Sequence, residues 1–305
     1  MGVGDQGSTG APYVDTAWRV LAIAAVYSVL FLGFDLLSGT RLSPGSVVIG
    51  LVTGAGFALV LLPLARRLPC SMPVRIVVLF VPLYWIFSLG NVVEAYFFTT
   101  ISHVSLTLGA VFLAIPSLAV SAMIAWLLPA DPPAEPFPGI WQALGERPVL
   151  SWAWRILVAG VLFAIVLQLA GVAWGPLISR YYHDPAYIAQ AHIANPPPPG
   201  LVTWTEETVR GLVFALVLLP VLAVVRGRAW PAILAVGAYV ALIDAALEGW
   251  LPMLGNTSFP VGFRIGEGLD LTTDALARGI FIAALLALPV VAARRRPAAE
   301  TATAS

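Results

Sequence analysis

Eight apolar runs, each close to twenty residues, dominate this chain and leave few folds open to it. They lie at about 18–37, 46–65, 75–96, 106–128, 152–174, 204–225, 230–251 and 271–292. A helix of about twenty residues rises about 30 Å, the thickness of the hydrocarbon core of a bilayer. In a chain of 305 residues 59% are hydrophobic and 10% charged, whereas soluble chains carry about a quarter charged residues. Within lipid every backbone amide must be satisfied internally, so apolar runs of this length form helices. The chain reads as an all-α polytopic membrane protein with eight transmembrane helices and the lipid bilayer as its solvent.

Arginine sets the sides. All sixteen basic residues are Arg and net charge is zero, which leaves no basic face for nucleic acid. With eight spans, one side of the membrane holds both termini. That side also holds Arg19, Arg66, Arg67, Arg75, Arg147, Arg155, Arg226, Arg228, Arg294, Arg295 and Arg296; the other holds only Arg41, Arg180 and Arg264. The positive-inside rule makes the termini cytoplasmic, in a bacterial inner membrane. Residues 1–16 form a polar tail without a basic n-region, and Gln6 stands where a myristoylation signal needs Ser or Thr. The first span is too long for a signal-peptide core and is expected to stay. Cys70, the single cysteine, falls in a cytoplasmic loop and reads as a reduced, inert thiol.

The heptad FALVLLP occurs at 57–63 and again at 214–220, with AWRVLA at 17–22 and AWRILV at 153–158 standing ahead of it in the same order. The chain reads as a duplication: 17–128 as a first four-helix repeat and 151–293 as a second. Each half has an even number of spans, so the two run parallel about a pseudo-twofold axis along the membrane normal. Residues 129–150 form a cytoplasmic linker, opened by the Pro-rich PADPPAEPFPG. GIWQALGERP follows as a short interfacial helix that turns Ile140, Trp141 and Leu144 to lipid. Residues 175–203 form an external cap with a short helix and a polyproline stretch, and 294–305 a cytoplasmic tail. Gly50 with Gly54, and Gly171 with Gly175, have the spacing for close helix contact. Trp18, Trp154, Trp174, Trp204, Trp230 and Trp250 fall near span ends as interface anchors.

Charges inside the spans are costly and mark sites. Asp35, Arg210, Asp244 and Arg278 each lie sixteen residues from the arginine at the cytoplasmic foot of their helix, at a height of about 24 Å. Glu94, Glu207, Glu248 and Asp274 lie nineteen or twenty residues from theirs, at about 28–30 Å. Asp244 and Glu248 share a helix face, as do Asp270, Asp274 and Arg278; Asn91 stands three before Glu94, and Glu206 and Glu207 precede Arg210 by four and three. Turned inward, these stripes make an external vestibule in which Arg278 pairs with Asp244 and Arg210 with Glu206 or Glu207. Aligning the repeats sets Glu94 opposite Glu248, whereas Arg210, Asp244 and Arg278 face Thr53, Gly90 and Gly109. Two arginines cannot neutralise all these carboxylates. Hydration, protonation or a bound cation must serve the remainder.

The stretch TEETVRGLVF resembles the E-E-x-x-x-R-G motif of CAAX-type and bacteriocin-processing membrane proteases, with Glu206, Arg210 and Gly211 in place. Thr205 stands where that family has its first Glu, and no His follows His192, so the catalytic set is incomplete. Eight-helix duplicated haem A synthases are similar in architecture but need helical His ligands, and only His103 lies near a span. No haem and no metal site is expected, His183 and His192 being nine residues apart. The ligand-binding candidates are Asn91, Glu94, Glu207, Arg210, Asp244, Glu248, Asp274 and Arg278, forming an outward-facing pocket for a small polar or cationic ligand, with transport one use of it. A membrane enzyme with a carboxylate acid–base pair, assisted by metal and His103 or His183, is the alternative, and a non-catalytic partner-binding subunit a further one. Sequence leaves cofactor, ligand and oligomeric state open.

Overall fold

The chain folds as an all-α polytopic membrane protein. The computed structural model describes residues 11–37, 43–131, 139–145, 147–190, 192–195, 197–224, 229–255 and 259–293. Within them run α1 (Ala11–Leu37), α2 (Pro44–Arg66), α3 (Met72–Tyr84), α4 (Gly90–Phe98), α5 (His103–Leu127), α6 (Ile140–Gly145) and α7 (Val149–Tyr182), followed by α8 (Pro185–Gln190), α9 (Gly200–Val224), α10 (Ala229–Ala241), α11 (Leu251–Gly255) and α12 (Val261–Ala293). Seven helical spans among these residues are long and apolar enough to cross a membrane. α12 has the length, at 33 residues, but carries Arg264, Glu267, Asp270, Asp274 and Arg278.

Local chemistry fixes the starts. Ser43 caps α2 by accepting from the Ser46 amide at 3.1 Å, and Ser102 caps α5 by accepting from that of Ser105 at 3.1 Å. Two spans are wound unevenly: a π-helical segment, Trp85–Leu89, joins α3 to α4, and a longer one, Leu242–Trp250, joins α10 to α11. Such segments place residues where an α-helix would not, and they favour functional positions.

Packing divides into two sets. α1 packs on α2 and α5, and α3 on α5; α7 packs on α9 and α12, and α10 on α12. Between the sets, α2 meets the Leu242–Trp250 segment, α3 and α4 meet α9, and the two π segments touch. Phe57, Leu61, Leu79, Leu83, Leu218 and Ile243 are buried in the shared core, while Leu21, Val29, Leu59, Val104, Leu169 and Val172 are exposed in the manner of lipid-facing side chains.

Close helix approaches occur at several glycines, two of them on α2 and α9. A Cβ on Gly54 would lie 2.8 Å from both Ala24 Cα and Tyr27 Cβ; one on Gly211 would lie 2.4 Å from Phe163 Cβ and 2.9 Å from Gly160 Cα. Gly50 is similarly confined by Ser28, but Gly171 and Gly175 face open space, so they do not serve the tight packing expected of them. Beside the two close approaches, Tyr27 and Phe57 rings sit 5.3 Å apart, and Phe163 and Phe214 rings 5.5 Å apart.

The arginine-rich end is tied by carbonyls. Arg19 donates to Leu127 O at 2.6 Å and Arg155 to Leu285 O at 2.8 Å. Buried Arg75 donates to Ala65 O, Ala125 O and Leu128 O at 3.1, 2.7 and 2.6 Å, satisfying carbonyls that helix ends leave open.

Three helices outrun their expected bounds, α1 by starting at Ala11 inside the expected polar tail. α7 continues past residue 174 to Tyr182 and α12 starts at Val261 instead of 271, so much of the expected cap is helical extension. Only α8 and the stretch pairing Ile193 with Thr99 remain of it. Trp141 of α6 is exposed, with Ala143 buried beneath. Trp174 and Trp250 donate to Thr273 and Thr272 on α12. The Asp35 side chain, Arg41, most of the Pro-rich linker, Arg226, Arg228, residues 1–10 and the tail 294–305 lie outside the described residues.

Candidate functional site

Opposite the arginine-rich end, four helical segments, α4, α9, the Leu242–Trp250 segment and α12, bring their charges together. Arg210 projects from the third turn of α9, and the close approach at neighbouring Gly211 presses α9 onto α7. The guanidinium lies 2.8 Å from Glu207, 2.9 Å from Glu94 on α4 and 3.5 Å from Glu206, with Asn91 Oδ1 accepting at 3.4 Å. One arginine thus gathers three carboxylates from two helices.

A second centre lies on α12. Arg278 Nη2 donates to Asp244 at 2.7 Å and contacts Asp274 at 2.6 Å. Asp244 belongs to the π segment and Asp274 stands one turn before Arg278, so the ion pair fastens the two elements. Glu248 stands one turn beyond Asp244 on the π segment and within electrostatic reach of it and of Asn91, which brings the second centre close to α4.

Phe163 of α7 joins the centres from beneath. The Arg278 guanidinium lies 4.5 Å from its ring centre and that of Arg210 5.8 Å, both within cation–π range. Phe214 backs Arg278 at 6.0 Å. Arginine, planar and weakly hydrated, suits such a position where lysine would not.

Burial makes the charge imbalance matter. Glu206, Glu207, Arg210, Asp244, Asp274 and Arg278 are all buried, while Glu94 keeps 42% of its side chain exposed and forms the open edge of the cluster. Six carboxyl groups, counting Glu248, face two guanidiniums. Both oxygens of Glu206, Oε2 of Glu207 and Oδ1 of Asp274 have no hydrogen-bond donor among the described residues. An uncompensated buried carboxylate costs several kcal/mol, so these oxygens are acceptors awaiting a proton, water or a cation.

All eight sequence candidates, Asn91, Glu94, Glu207, Arg210, Asp244, Glu248, Asp274 and Arg278, fall in this one network. Glu94 and Glu248 enter it separately, Glu94 through Arg210 and Glu248 through Asn91 and Asp244. His103 stands apart, its ring 4.7 Å from that of Tyr96, and His183 bonds to Ser179 O at 2.7 Å. Among the described residues no group of three His, Cys, Asp or Glu side chains is placed to hold a metal ion.

Sequence reasoning missed the Phe163 platform and a cleft beside the network. That cleft, about 310 Å³, is lined by Glu248, Glu267, Tyr182, Tyr187, Phe259 and Phe263 among others. Tyr182 Oη donates to Glu267 at 3.3 Å. Burial, and then the nearby Glu267, push the Tyr187 phenol above its ordinary range, so it stays a neutral donor. Glu267 sits one turn before Asp270 on the charged face of α12, a signal that could have found it.

No family model, no curated protein and no solved structure matches this chain.

Proposed function

We propose that this is an eight-helix membrane protein whose acidic, arginine-containing network is an outward-facing pocket for a small cationic ligand. The observation that carries this reading is the excess of carboxylate: six acids share two arginines, and among the described residues four buried carboxylate oxygens accept no hydrogen bond, Glu206 Oε1 having only the 3.5 Å ion contact from Arg210. A cation entering past Glu94 meets those acceptors in a low-dielectric site, where each contact is worth more than in water.

The architecture proposed with it is a 4+4 duplication, residues 17–128 and 151–293, with α12 as the eighth span. Its support is residue by residue. Tyr27 and Phe163 stand at matching places after the AWR motifs, and Gly54 and Gly211 at matching places before the FALVLLP heptads. In each half that glycine meets that aromatic residue, and the heptad Phe packs beside it. Arg19 and Arg155 each reach a carbonyl on the last helix of their half. Contacts between halves are reciprocal as well, α2 with the second half's third span and α9 with the first half's.

Termini are placed in the cytoplasm by the arginine bias. Towards that side the core beneath the network is apolar, with Phe57, Leu61, Leu218, Val221 and Val240 buried. The network therefore opens at one face, which favours binding there over a continuous polar path.

The test is a thermal-shift series on purified protein in detergent with sodium, ammonium, methylammonium and guanidinium chlorides at constant ionic strength. At least one cation is expected to raise the melting temperature in proportion to the logarithm of its concentration, with a smaller rise in Asp244→Asn. No response to any of the four would refute the reading.

A further inference from the structure

We infer that the cleft beside the acidic network is a subsite for an alkylated ammonium group, the head of an organic cation. This rests on the proposed pocket and names its ligand class.

The walls of the cleft are of two kinds. Four aromatic rings form one side: Tyr182 at the end of α7, Tyr187 on α8, Phe259 just before α12 and Phe263 in its first turn. Glu248 and Glu267 form the other. No arginine or histidine lines it, and neither carboxylate is ion-paired among the described residues.

The rings pack on one another as well as lining the cleft: Tyr187 and Phe263 lie 4.8 Å apart at 51°, and Phe259 and Phe263 5.6 Å apart at 36°. Tyr182 stands at 85° to Tyr187 and 71° to Phe263, with centroids 6.0 and 6.2 Å apart; Tyr187 stands at 62° to Phe259 at 6.1 Å. Edge-to-face packing turns neighbouring π faces in different directions, as the walls of a box require. Tyr187 and Phe263 are buried while Tyr182 is 39% exposed, so the box has a fixed floor and one wall at its mouth. These contacts also fasten α7, α8 and α12 together, which makes the walls rigid before any ligand arrives.

Chemistry selects the occupant. A hard inorganic cation seeks a shell of oxygens, and four of these walls offer carbon. A neutral apolar ligand would leave Glu248 and Glu267 desolvated without gain. An alkylated ammonium group is weakly hydrated, is attracted to ring faces within about 6 Å, and neutralises the carboxylates at long range. About 310 Å³ is the small end of ligand pockets. Glu248 belongs to both cleft and network, so a head group held here keeps any polar tail next to Asn91 and Asp244.

The experiment measures tetramethylammonium and choline chloride binding to the full chain in detergent by calorimetry, against sodium and ammonium chlorides. Tetramethylammonium is expected to bind about tenfold or more tightly than sodium. Tyr182→Leu and Glu267→Gln are each expected to weaken it by about tenfold, while Tyr182→Phe, which keeps the ring and loses only the bond to Glu267, stays within about twofold. Tyr182 is half-exposed, and these variants avoid the buried Tyr187 and Phe263; melting curves verify the fold. Equal affinity for tetramethylammonium and sodium, or unchanged affinity in both weakening variants, would overturn the subsite and leave the acidic pocket standing. Absence of binding by every cation would overturn both.

Discussion

Arg278 and Asp244 lie 34 residues apart in the chain and meet at 2.7 Å, joining α12 to the π-helical segment of the preceding span. The same Nη2 also serves Asp274, and that sharing makes the two partners unequal. Arg278→Met strands two buried carboxylates and is expected to cost about 3–5 kcal/mol. Asp244→Asn leaves Arg278 still paired with Asp274, and about 1–3 kcal/mol is expected. Thermal unfolding in detergent should rank the variants in that order. A reversed order would mean that Asp274 does not share the charge.

Gly211→Ala is expected to destabilise by about 1–3 kcal/mol through overpacking. Its new methyl would fall 2.4 Å from Phe163 Cβ and 2.9 Å from Gly160 Cα, both on a helix that cannot yield independently. Gly171→Ala is the control: nothing lies within 4 Å of its Cβ, and helix propensity favours alanine by about 1 kcal/mol. Melting temperatures should move in opposite directions, and a shared direction would discount the close approach.

Arg75→Met should cost about 1–3 kcal/mol by releasing three carbonyls. These belong to Ala65, Ala125 and Leu128, at the end away from the acidic network. Stability should therefore fall while the cation dependence of the remaining transition is kept. If the cation response vanished with folding intact, the two ends would be coupled more tightly than their separation implies.

Cys70 offers a probe of both protonation and sidedness. Burial pushes its thiol up, with Arg75 drawing it part of the way back. Since the thiolate is the reactive form, alkylation by maleimide at about pH 8 should run several-fold slower in the folded protein than in denaturant. The sign carries to stability: a raised thiol favours folding while neutral, and that contribution is lost as pH climbs through the folded value. In intact cells a membrane-impermeant maleimide should spare Cys70 and label Ala186→Cys on α8, in a Cys70→Ser background. The converse pattern would invert the topology.

Much of this was legible because lipid imposes a simple code. Spans announce themselves by length, and i, i+4 spacing put Asp274 and Arg278, or Glu206 and Arg210, on common faces before any packing was known. What escaped was structure that the same code hides. α12 begins at Val261, but Arg264, Glu267 and Asp270 lower hydropathy there, so a helix facing a polar cleft resembled a loop. α7 runs through Pro176, where a proline, lacking its amide donor, reads in sequence as a helix end. The π segments leave no mark in a 3.6-residue count. Phe163 is one apolar residue among many until α9 is docked on α7.

That ring has a consequence for how the protein can change over time. Among the described residues Phe163 is the one side chain within cation–π reach of both Arg210 and Arg278, and it also receives the closest approach at Gly211. A replacement must be flat, to underlie two guanidiniums, and must branch no earlier than Phe does, to clear the glycine. Leucine meets the second demand and fails the first; tryptophan meets the first and overfills the space. What the position demands is a flat ring that branches where Phe does, and Tyr27, eight residues after the other AWR motif, is a ring of that kind.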